Sequence, residues 1–211
     1  EIYNKFSKDK INYLNRKLKL RGPDYTNIII YNGYVFIHNL LHICGELTPQ
    51  PFIEDNIVIL YNGEIYNYKD FGSYSSDGKC LIQLYKKYGE DFIKKLDGEF
   101  GIVIFDFNKN KIIISSDIFA TKPIWYHIQN NEQNKKNIII STFESTIDEI
   151  CGLEQYNERN ISISQRKNIW KNNISSKNRP NEYILLNMKT FDVLIRKTIY
   201  NFNLKKYKNT Y

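Results

Sequence analysis

Three consecutive residues, Asn62, Gly63 and Glu64, place an amide, a glycine and a carboxylate directly after an apolar run. The run at 56–61 predicts a strand, and the end of a strand holds what it carries in a fixed direction. Gly63 lets a ligand approach the backbone closely, because no side chain intervenes. An Asn amide beside a free Gly N–H is a two-donor set that can stabilise an oxyanion during acyl transfer. Glu64 is suited to hold a substrate ammonium.

The same residues also allow a purely structural interpretation. Asn-Gly is the dipeptide that best accepts the positive φ values of a tight hairpin turn, so Asn62-Gly63 could simply join two strands. Such a turn requires a return strand after it. The segment 64–78, EIYNYKDFGSYSSDG, lacks the alternation expected of one, which favours a site over a turn.

Hydrophobic spacing predicts the elements that precede the motif. Apolar residues recur at helical intervals within 7–20, and a Gly-Pro pair ends that helix. Two apolar runs at 27–31 and 34–38 flank Asn32-Gly33, which predicts a β-hairpin with a two-residue turn.

The elements after the motif are mostly strands. The spacing predicts helices at 81–88 and 90–96, a hairpin within 100–117, and strands at 122–128, 137–142, 182–188 and 192–197. The polar stretch 157–181 predicts a poorly ordered insertion. Strands outnumber helices and occur as hairpins, so the expectation is one α+β domain over 1–211 with mainly antiparallel sheets.

Composition limits the classes of function. The 211 residues carry a formal net charge of +7, but the basic residues concentrate in the first helix, in polar loops and in the C-terminal tail. This distribution indicates a solvated surface and argues against nucleic acid as a partner. The apolar runs are shorter than the roughly 18 to 20 residues of a membrane span, so no membrane partner is expected. We see no signal peptide at the beginning of the chain, and a cytoplasmic location is expected.

The three cysteines, Cys44, Cys80 and Cys151, show neither a disulfide framework nor the paired spacing of a metal site. Cys44 precedes a glycine in HICGE and is a conceivable nucleophile. Small, apolar positions in the core or at a strand end are the simpler interpretation for all three.

Five motifs together carry a resemblance to a known family. They are RGPD at 21–24, NGEIYN at 62–67, SSD at 75–77, LDGEFGIVIFD at 96–106 and KPIWY at 122–126. Their order and approximate spacing resemble the glutaminase domain of asparagine synthetases, a class II glutamine amidotransferase domain. The residues after Asn-Gly point to the asparagine synthetase branch, and the divergent asparagine synthetase domain-containing group is a further candidate.

The resemblance implies a four-layer αββα sandwich with an N-terminal nucleophile. In such domains a cysteine at the mature N-terminus attacks the side-chain amide of glutamine, and its own α-amine handles the proton. By position, the Asn62 side chain and the Gly63 N–H match the oxyanion hole, while Glu64 and Asp77 match groups that bind the α-amine of glutamine. Asp77 has an alternative role, because SSD before a helical pattern is also typical of an N-cap.

Two departures from the family pattern affect these expectations. Residue 1 is Glu rather than Cys, and the interval from Glu1 to RGPD is several residues shorter than the family's interval from the nucleophile to that motif, so the first strand of the family pattern is missing. Either the N-terminus has been lost or the protein is a degenerate member of the family. An internal cysteine such as Cys44 lacks the free α-amine that acts as base. The run HNLL at 38–41 places Leu40 where the family has an Arg that binds the glutamine carboxylate, and an aliphatic side chain makes no such contact. Leu41, the next residue, is assigned to the substrate-binding set.

The resemblance also implies the reaction and the partners. The domain would hydrolyse glutamine to glutamate and ammonia for an ATP-dependent, amide-forming synthetase domain or separate subunit. No cofactor or metal is expected for the glutaminase domain, and ATP and magnesium would belong only to the synthetase domain, which is absent from these 211 residues. The alternative is a catalytically silent module with a structural or partner-binding role.

Overall fold

The computed structural model describes residues 8–43, 45–130, 135–151 and 175–201. Three α-helices are present in these residues: α1 Lys8–Lys19, α2 Leu81–Tyr88 and α3 Glu144–Cys151. Short 3-10 helices span Tyr68–Phe71, Asp77–Cys80 and Gly89–Lys95. The strands are β1 Tyr25–Tyr31, β2 Tyr34–Leu40, β3 Phe52–Glu54, β4 Ile57–Ile65, β5 Gly98–Asp106, β6 Lys111–Ser116, β7 Trp125–Asn130, β8 Lys136–Ser141, β9 Ser176–Lys177, β10 Glu182–Asn187 and β11 Val193–Thr198.

A six-stranded sheet forms the centre of the fold, with the order β11-β10-β6-β5-β4-β3 and antiparallel pairing throughout. Strands β4 and β5 pair over their full nine residues, from Ile57 opposite Asp106 to Ile65 opposite Gly98. Two smaller sheets, β1-β2 and β8-β7-β9, complete the strand content of the described residues.

The two faces of the central sheet carry separate apolar cores. Alternate residues of β4, such as Ile59 and Ile65, pack against α2 and the 3-10 helix that follows it. The intervening residues, such as Val58, pack against Phe36 of β2 and Tyr126 of β7. Each such side chain contributes about 1.5 to 3 kcal/mol when it is fully buried.

Helices also cover the outer side of the smaller sheets. Helix α1 contacts β2, and α3 contacts β7 and β8. An ion pair of 3.1 Å between Lys17 Nζ and Glu149 Oε2 joins these two helices. The order is therefore helix, sheet, sheet, helix, which confirms the predicted α+β, four-layer αββα sandwich.

The predicted first hairpin is confirmed. Strands β1 and β2 pair from Tyr25 opposite Leu40 to Tyr31 opposite Tyr34. Asn32 and Gly33 have φ values of 47° and 82°, the positive values that a mirror-image two-residue turn requires.

The predicted end of the fourth strand is wrong. Strand β4 does not stop at 61 but runs through Asn62, Gly63 and Glu64 to Ile65, because β5 provides a partner for each of these residues. The alternative in which Asn62-Gly63 forms a hairpin turn is therefore wrong as well. The short strand β3 and helix α3 were not predicted from the sequence.

The predicted poorly ordered insertion at 157–181 extends too far at its C-terminal end. Residues 157–174 lie outside the described residues. Strand β9 follows them and pairs with Trp125 and Tyr126 of β7. The next residue, Asn178, is fully buried, and its backbone N–H donates to the Ile124 carbonyl at 2.8 Å. Local polarity predicted disorder, whereas distant partners fix the backbone here.

Candidate functional site

The direction of the Gly63 N–H follows from how its partner strand is bonded. Gly63 lies opposite Phe100 in the ladder between β4 and β5. The Phe100 N–H donates to the Asp117 carboxylate at 3.0 Å, and the Phe100 carbonyl accepts from the Asp117 N–H at 2.9 Å. Both backbone groups of Phe100 thus point away from β4. Gly63 and Phe100 form a non-hydrogen-bonded pair, so the Gly63 N–H points to the free edge of β4.

Neighbouring backbone groups on this free edge are occupied by side chains. The Tyr61 N–H donates to Gln50 Oε1 at 2.8 Å, and the Ile65 N–H donates to Asp77 Oδ2 at 2.9 Å. Strand β3 does not extend to this point, because its last pair along β4 is Phe52 with Ile59. Among the described residues, no group accepts a hydrogen bond from the Gly63 N–H, which lies between the two occupied positions.

The backbone at position 63 requires glycine for two reasons. Its φ is +146°, a conformation that residues with a side chain rarely adopt. A Cβ at this position would lie 1.9 Å from the Glu99 carbonyl oxygen of β5. The strand therefore keeps its pairing and presents an uncovered N–H only with glycine here.

The side chains of Asn62 and Glu64 lie on the face of β4 that is turned toward the smaller sheets, because alternate residues share a face. Within the described part of the chain, neither side chain has a hydrogen-bond or ion-pair partner. Glu99 lies directly opposite Glu64, and Lys122 pairs with Glu99 at 3.2 Å. Like charges opposite each other destabilise a ladder, so a bound cation beside Glu64 would be favourable.

Asp77 does not cap the helix as the SSD pattern allowed, because the N-cap residue is Ser76 and no side chain makes a cap hydrogen bond there. It begins the 3-10 helix Asp77–Cys80, and its Oδ1 accepts from the Gly78 N–H at 2.8 Å. Its Oδ2 accepts from the Tyr61 hydroxyl at 2.5 Å as well as from the Ile65 N–H. A carboxylate offers about four acceptor positions, so one remains for a ligand.

One cavity of about 1520 Å³ joins these groups, and Asn62, Gly63, Glu64 and Asp77 all line it. It lies between the two sheet layers and extends along β2 and β8. Among the described residues, β2 pairs only with β1, and β8 pairs only with β7, so each has an unpaired edge. The cavity and these two unpaired edges lie beside the Asn62-Gly63 motif.

Leu40 and Leu41 also line this cavity. Leu40 shares the inner face of β2 with His38 and Phe36, and Leu41 is 52% exposed just after the strand. The carboxylate-binding position of the family pattern is thus an apolar section of the wall. No charged contact is available from these two side chains.

The cysteines with described surroundings are poor nucleophiles. Burial, with a smaller contribution from Asp77, raises the pKa of the Cys80 thiol to about 12. Burial also raises the pKa of Cys151 to about 11. Both thiols are therefore protonated at neutral pH, when the thiolate is the reactive form. Cys44 lies outside the described residues.

The described residues contain neither a metal-binding cluster nor a membrane-spanning helix. Nowhere in 8–43, 45–130, 135–151 and 175–201 do three or more His, Cys, Asp or Glu side chains form a group that could hold a metal ion. None of the helices in these ranges is both long and apolar enough to cross a membrane.

Sequence reasoning missed two residues beside the motif, Gln50 and His38. Gln50 is only 5% exposed and binds the Tyr61 N–H, while His38 Nε2 lies 3.3 Å from the Tyr61 carbonyl oxygen. The only available signal was a polar residue next to a proline and a histidine within an apolar strand, and neither pattern identifies a site.

Comparison with known proteins shows the family of the chain. The model of the family described as "Glutamine amidotransferase domain" matches residues 2–184. Asparagine synthetase (glutamine-hydrolyzing) 2 of Bacillus subtilis is 34% identical over 120 residues, covering 52% of this chain and 16% of that protein. Asparagine synthetase (glutamine-hydrolyzing) 2 of Oryza sativa subsp. japonica is 30% identical over 129 residues, covering 56% of this chain and 22% of that protein. The chain spans less than a third of the length of these relatives.

A solved structure supports the fold. Glutamine phosphoribosylpyrophosphate amidotransferase from B. subtilis, complexed with ADP and GMP, superimposes with a TM-score of 0.52. It is 16% identical and covers 79% of this chain and 35% of its own chain, so the likeness concerns the fold alone. The family match extends over most of the sequence and includes the strand that carries Asn62 and Gly63. This chain belongs to the glutamine amidotransferase domain family.

Proposed function

We propose that the cavity binds glutamine and supports hydrolysis of its side-chain amide to glutamate and ammonia. One observation carries this proposal: the Asn62 amide, the Gly63 N–H and the Glu64 carboxylate are consecutive, have no partner in the described residues, and line the same cavity. All three residues are half-buried, so these polar groups are accessible to a ligand from the cavity. The two hydrogen-bond donors suit the amide carbonyl at one end of glutamine, and the acid suits the α-ammonium at the other end.

The proposed chemistry assigns each group one step. A thiol adds to the amide carbon of glutamine, and the carbonyl oxygen becomes an oxyanion held by the Asn62 amide and the Gly63 N–H. Ammonia leaves with the proton taken from the thiol, and water then hydrolyses the thioester to glutamate. The proposed thiol is that of an N-terminal cysteine, because the cysteines of this chain are internal and lack an α-amine.

Glu64, assisted by the remaining acceptor position of Asp77, would bind the α-ammonium of glutamine. Glu64→Gln is expected to raise KM for glutamine by about tenfold to 10², because a charge-assisted hydrogen bond is lost. The measurement compares L-glutamine with glutaric acid monoamide, which lacks the ammonium. The native protein should discriminate strongly between the two, and Glu64→Gln should not.

A matched control is Glu46→Gln, which removes another acid that lines the cavity and whose side chain lies 3.6 Å from Lys79. It should leave the discrimination unchanged. Equal discrimination in the native protein and in Glu64→Gln would exclude Glu64 as the ammonium ligand.

The ammonia would be used by a partner. The two relatives described above are much longer than this chain, and their names join glutamine hydrolysis to asparagine synthesis. We therefore propose an ATP-dependent, amide-forming synthetase domain or subunit as the partner, with ATP and magnesium bound there. We propose the cytoplasm as the location of both this domain and its synthetase partner.

A second candidate function rests on Leu40 and Leu41. Because these residues make part of the cavity wall apolar, free glutamine would lack a carboxylate ligand at the position expected from the family pattern. A silent module with a structural or partner-binding role would be the consequence. It predicts that L-glutamine does not bind, whereas the leading proposal requires binding.

A further inference from the structure

The free edge of β4 is bonded by side chains where a neighbouring strand would otherwise lie. Strand β3 pairs with β4 as far as Phe52 opposite Ile59. Continuing that register by two residues places Gln50 opposite Tyr61. The Gln50 carbonyl is already occupied, because it accepts from Asn27 Nδ2 at 2.9 Å. Its side-chain Oε1 accepts the Tyr61 N–H at 2.8 Å instead.

The other backbone group of Tyr61 is bonded from the opposite layer. His38 extends from the inner face of β2, and its Nε2 lies 3.3 Å from the Tyr61 carbonyl oxygen. A carbonyl only accepts, so this contact requires the tautomer with the proton on Nε2. Burial lowers the pKa of His38, and the contact with Tyr61 partly opposes this effect.

We propose that Gln50 and His38 are positioning residues that fix the Tyr61 peptide groups and thereby hold the Gly63 N–H toward the cavity. The inference rests on the proposed function, since it assigns these residues to the oxyanion hole. Gly63 is only two residues beyond Tyr61 in β4, so both residues present their backbone groups to the same free edge. Two residues after Gly63, the Ile65 N–H donates to Asp77, and this bond fixes β4 on the C-terminal side of Gly63.

This arrangement accounts for why the edge stays both open and ordered. A paired strand would cover the Gly63 N–H, whereas a fully unbonded edge would leave this end of β4 held only by its pairing with β5. Side-chain bonds on the two sides of Gly63 satisfy the adjacent backbone groups and leave one donor available. Preorganised donors stabilise an oxyanion without having to reorient during the reaction.

The test pairs a disruptive variant with a conservative variant at each position. Gln50→Met removes the acceptor and Gln50→Glu retains it, while His38→Met removes the donor and His38→Gln retains it. Gln50→Met should accelerate hydrogen exchange of the Tyr61 amide by about fivefold to tenfold, which corresponds to the net free energy of one hydrogen bond. In a protein that carries this chain behind an unblocked N-terminal cysteine, kcat for glutamine hydrolysis should fall by about tenfold to 10² with little change in KM, because the donor is misplaced. Both conservative variants should stay close to the native values.

Asn108→Ala is the matched control, because the Asn108 Nδ2 also donates to a backbone carbonyl beside β4, that of Asp55 at the opposite end of the strand. It should lower stability without changing kcat or exchange at Tyr61. The inference is overturned if Gln50→Met leaves Tyr61 exchange unchanged, or if Asn108→Ala produces the same effects. If no variant and not even the native protein hydrolyses glutamine, the proposed function fails, while the exchange measurement still decides the positioning role.

Discussion

Replacing Asn62 by alanine is expected to reduce kcat for glutamine hydrolysis by about 10² to 10³, the effect of losing one oxyanion donor. The prediction applies to a protein that carries this chain behind an unblocked N-terminal cysteine. The Asn62 side chain lines the cavity and has no partner among the described residues, so its removal should cost little stability. KM should change much less than kcat, because the bond forms fully only with the oxyanion.

Asn67→Ala is the control for this prediction, since Asn67 belongs to the same motif. Its side chain bonds the backbone instead: Nδ2 donates to the Lys95 carbonyl at 2.9 Å, and Oδ1 accepts from the Asp97 N–H at 3.0 Å. Asn67→Ala should reduce the free energy of unfolding by about 1 to 3 kcal/mol and leave kcat near its native value. An unchanged kcat in Asn62→Ala, with an active cysteine demonstrated, would remove Asn62 from the mechanism.

Gly63→Ala is expected to have the largest effect on stability. The new Cβ would lie 1.9 Å from the Glu99 carbonyl oxygen, and the φ of +146° is itself unfavourable for alanine. We expect the free energy of unfolding to fall by about 3 to 5 kcal/mol, as measured by denaturant titration. Any folded fraction should be inactive, because β4 must move away from β5 to relieve the contact.

Gly89→Ala separates the two causes of this effect. Gly89 also has a positive φ, +57°, but a Cβ there would have no neighbour within 4 Å. It should cost only about 1 kcal/mol. If Gly63→Ala were no more destabilising than Gly89→Ala, the close packing of β4 on β5 at Gly63 would be wrong.

The parts of the fold that depend on local chemistry were predictable from the sequence. Asn32-Gly33 specifies the first hairpin through its φ values, and the strand periodicity indicated mainly antiparallel sheets. The end of β4 was not predictable, because polar residues continue the strand only through pairing with β5, more than thirty residues away in the sequence. Helix α3 and strand β9 were missed, since tertiary packing rather than propensity stabilises such short elements.

The candidate site also has residues that were predictable from the sequence and residues that were not. Asn62, Gly63 and Glu64 are adjacent, so their residue types alone suggested two donors and an acid. The roles of Gln50 and His38 depend on contacts with Tyr61 that span 11 and 23 residues. No local pattern indicates such contacts, because the His38 contact arises from the packing of β2 over β4 and the Gln50 contact from the approach of the β3 segment to the free edge of β4.

The most direct test of the proposed glutamine site is to titrate the ¹⁵N-labelled chain with L-glutamine and to follow the Asn62 side-chain amide and the Gly63 backbone amide by NMR. Binding needs no thiol, so the measurement does not depend on the nucleophile. We expect both resonances to shift along one saturation curve, and glutaric acid monoamide to cause much smaller shifts because it lacks the ammonium. If saturating L-glutamine left both amides unperturbed, these two donors would not form a glutamine site.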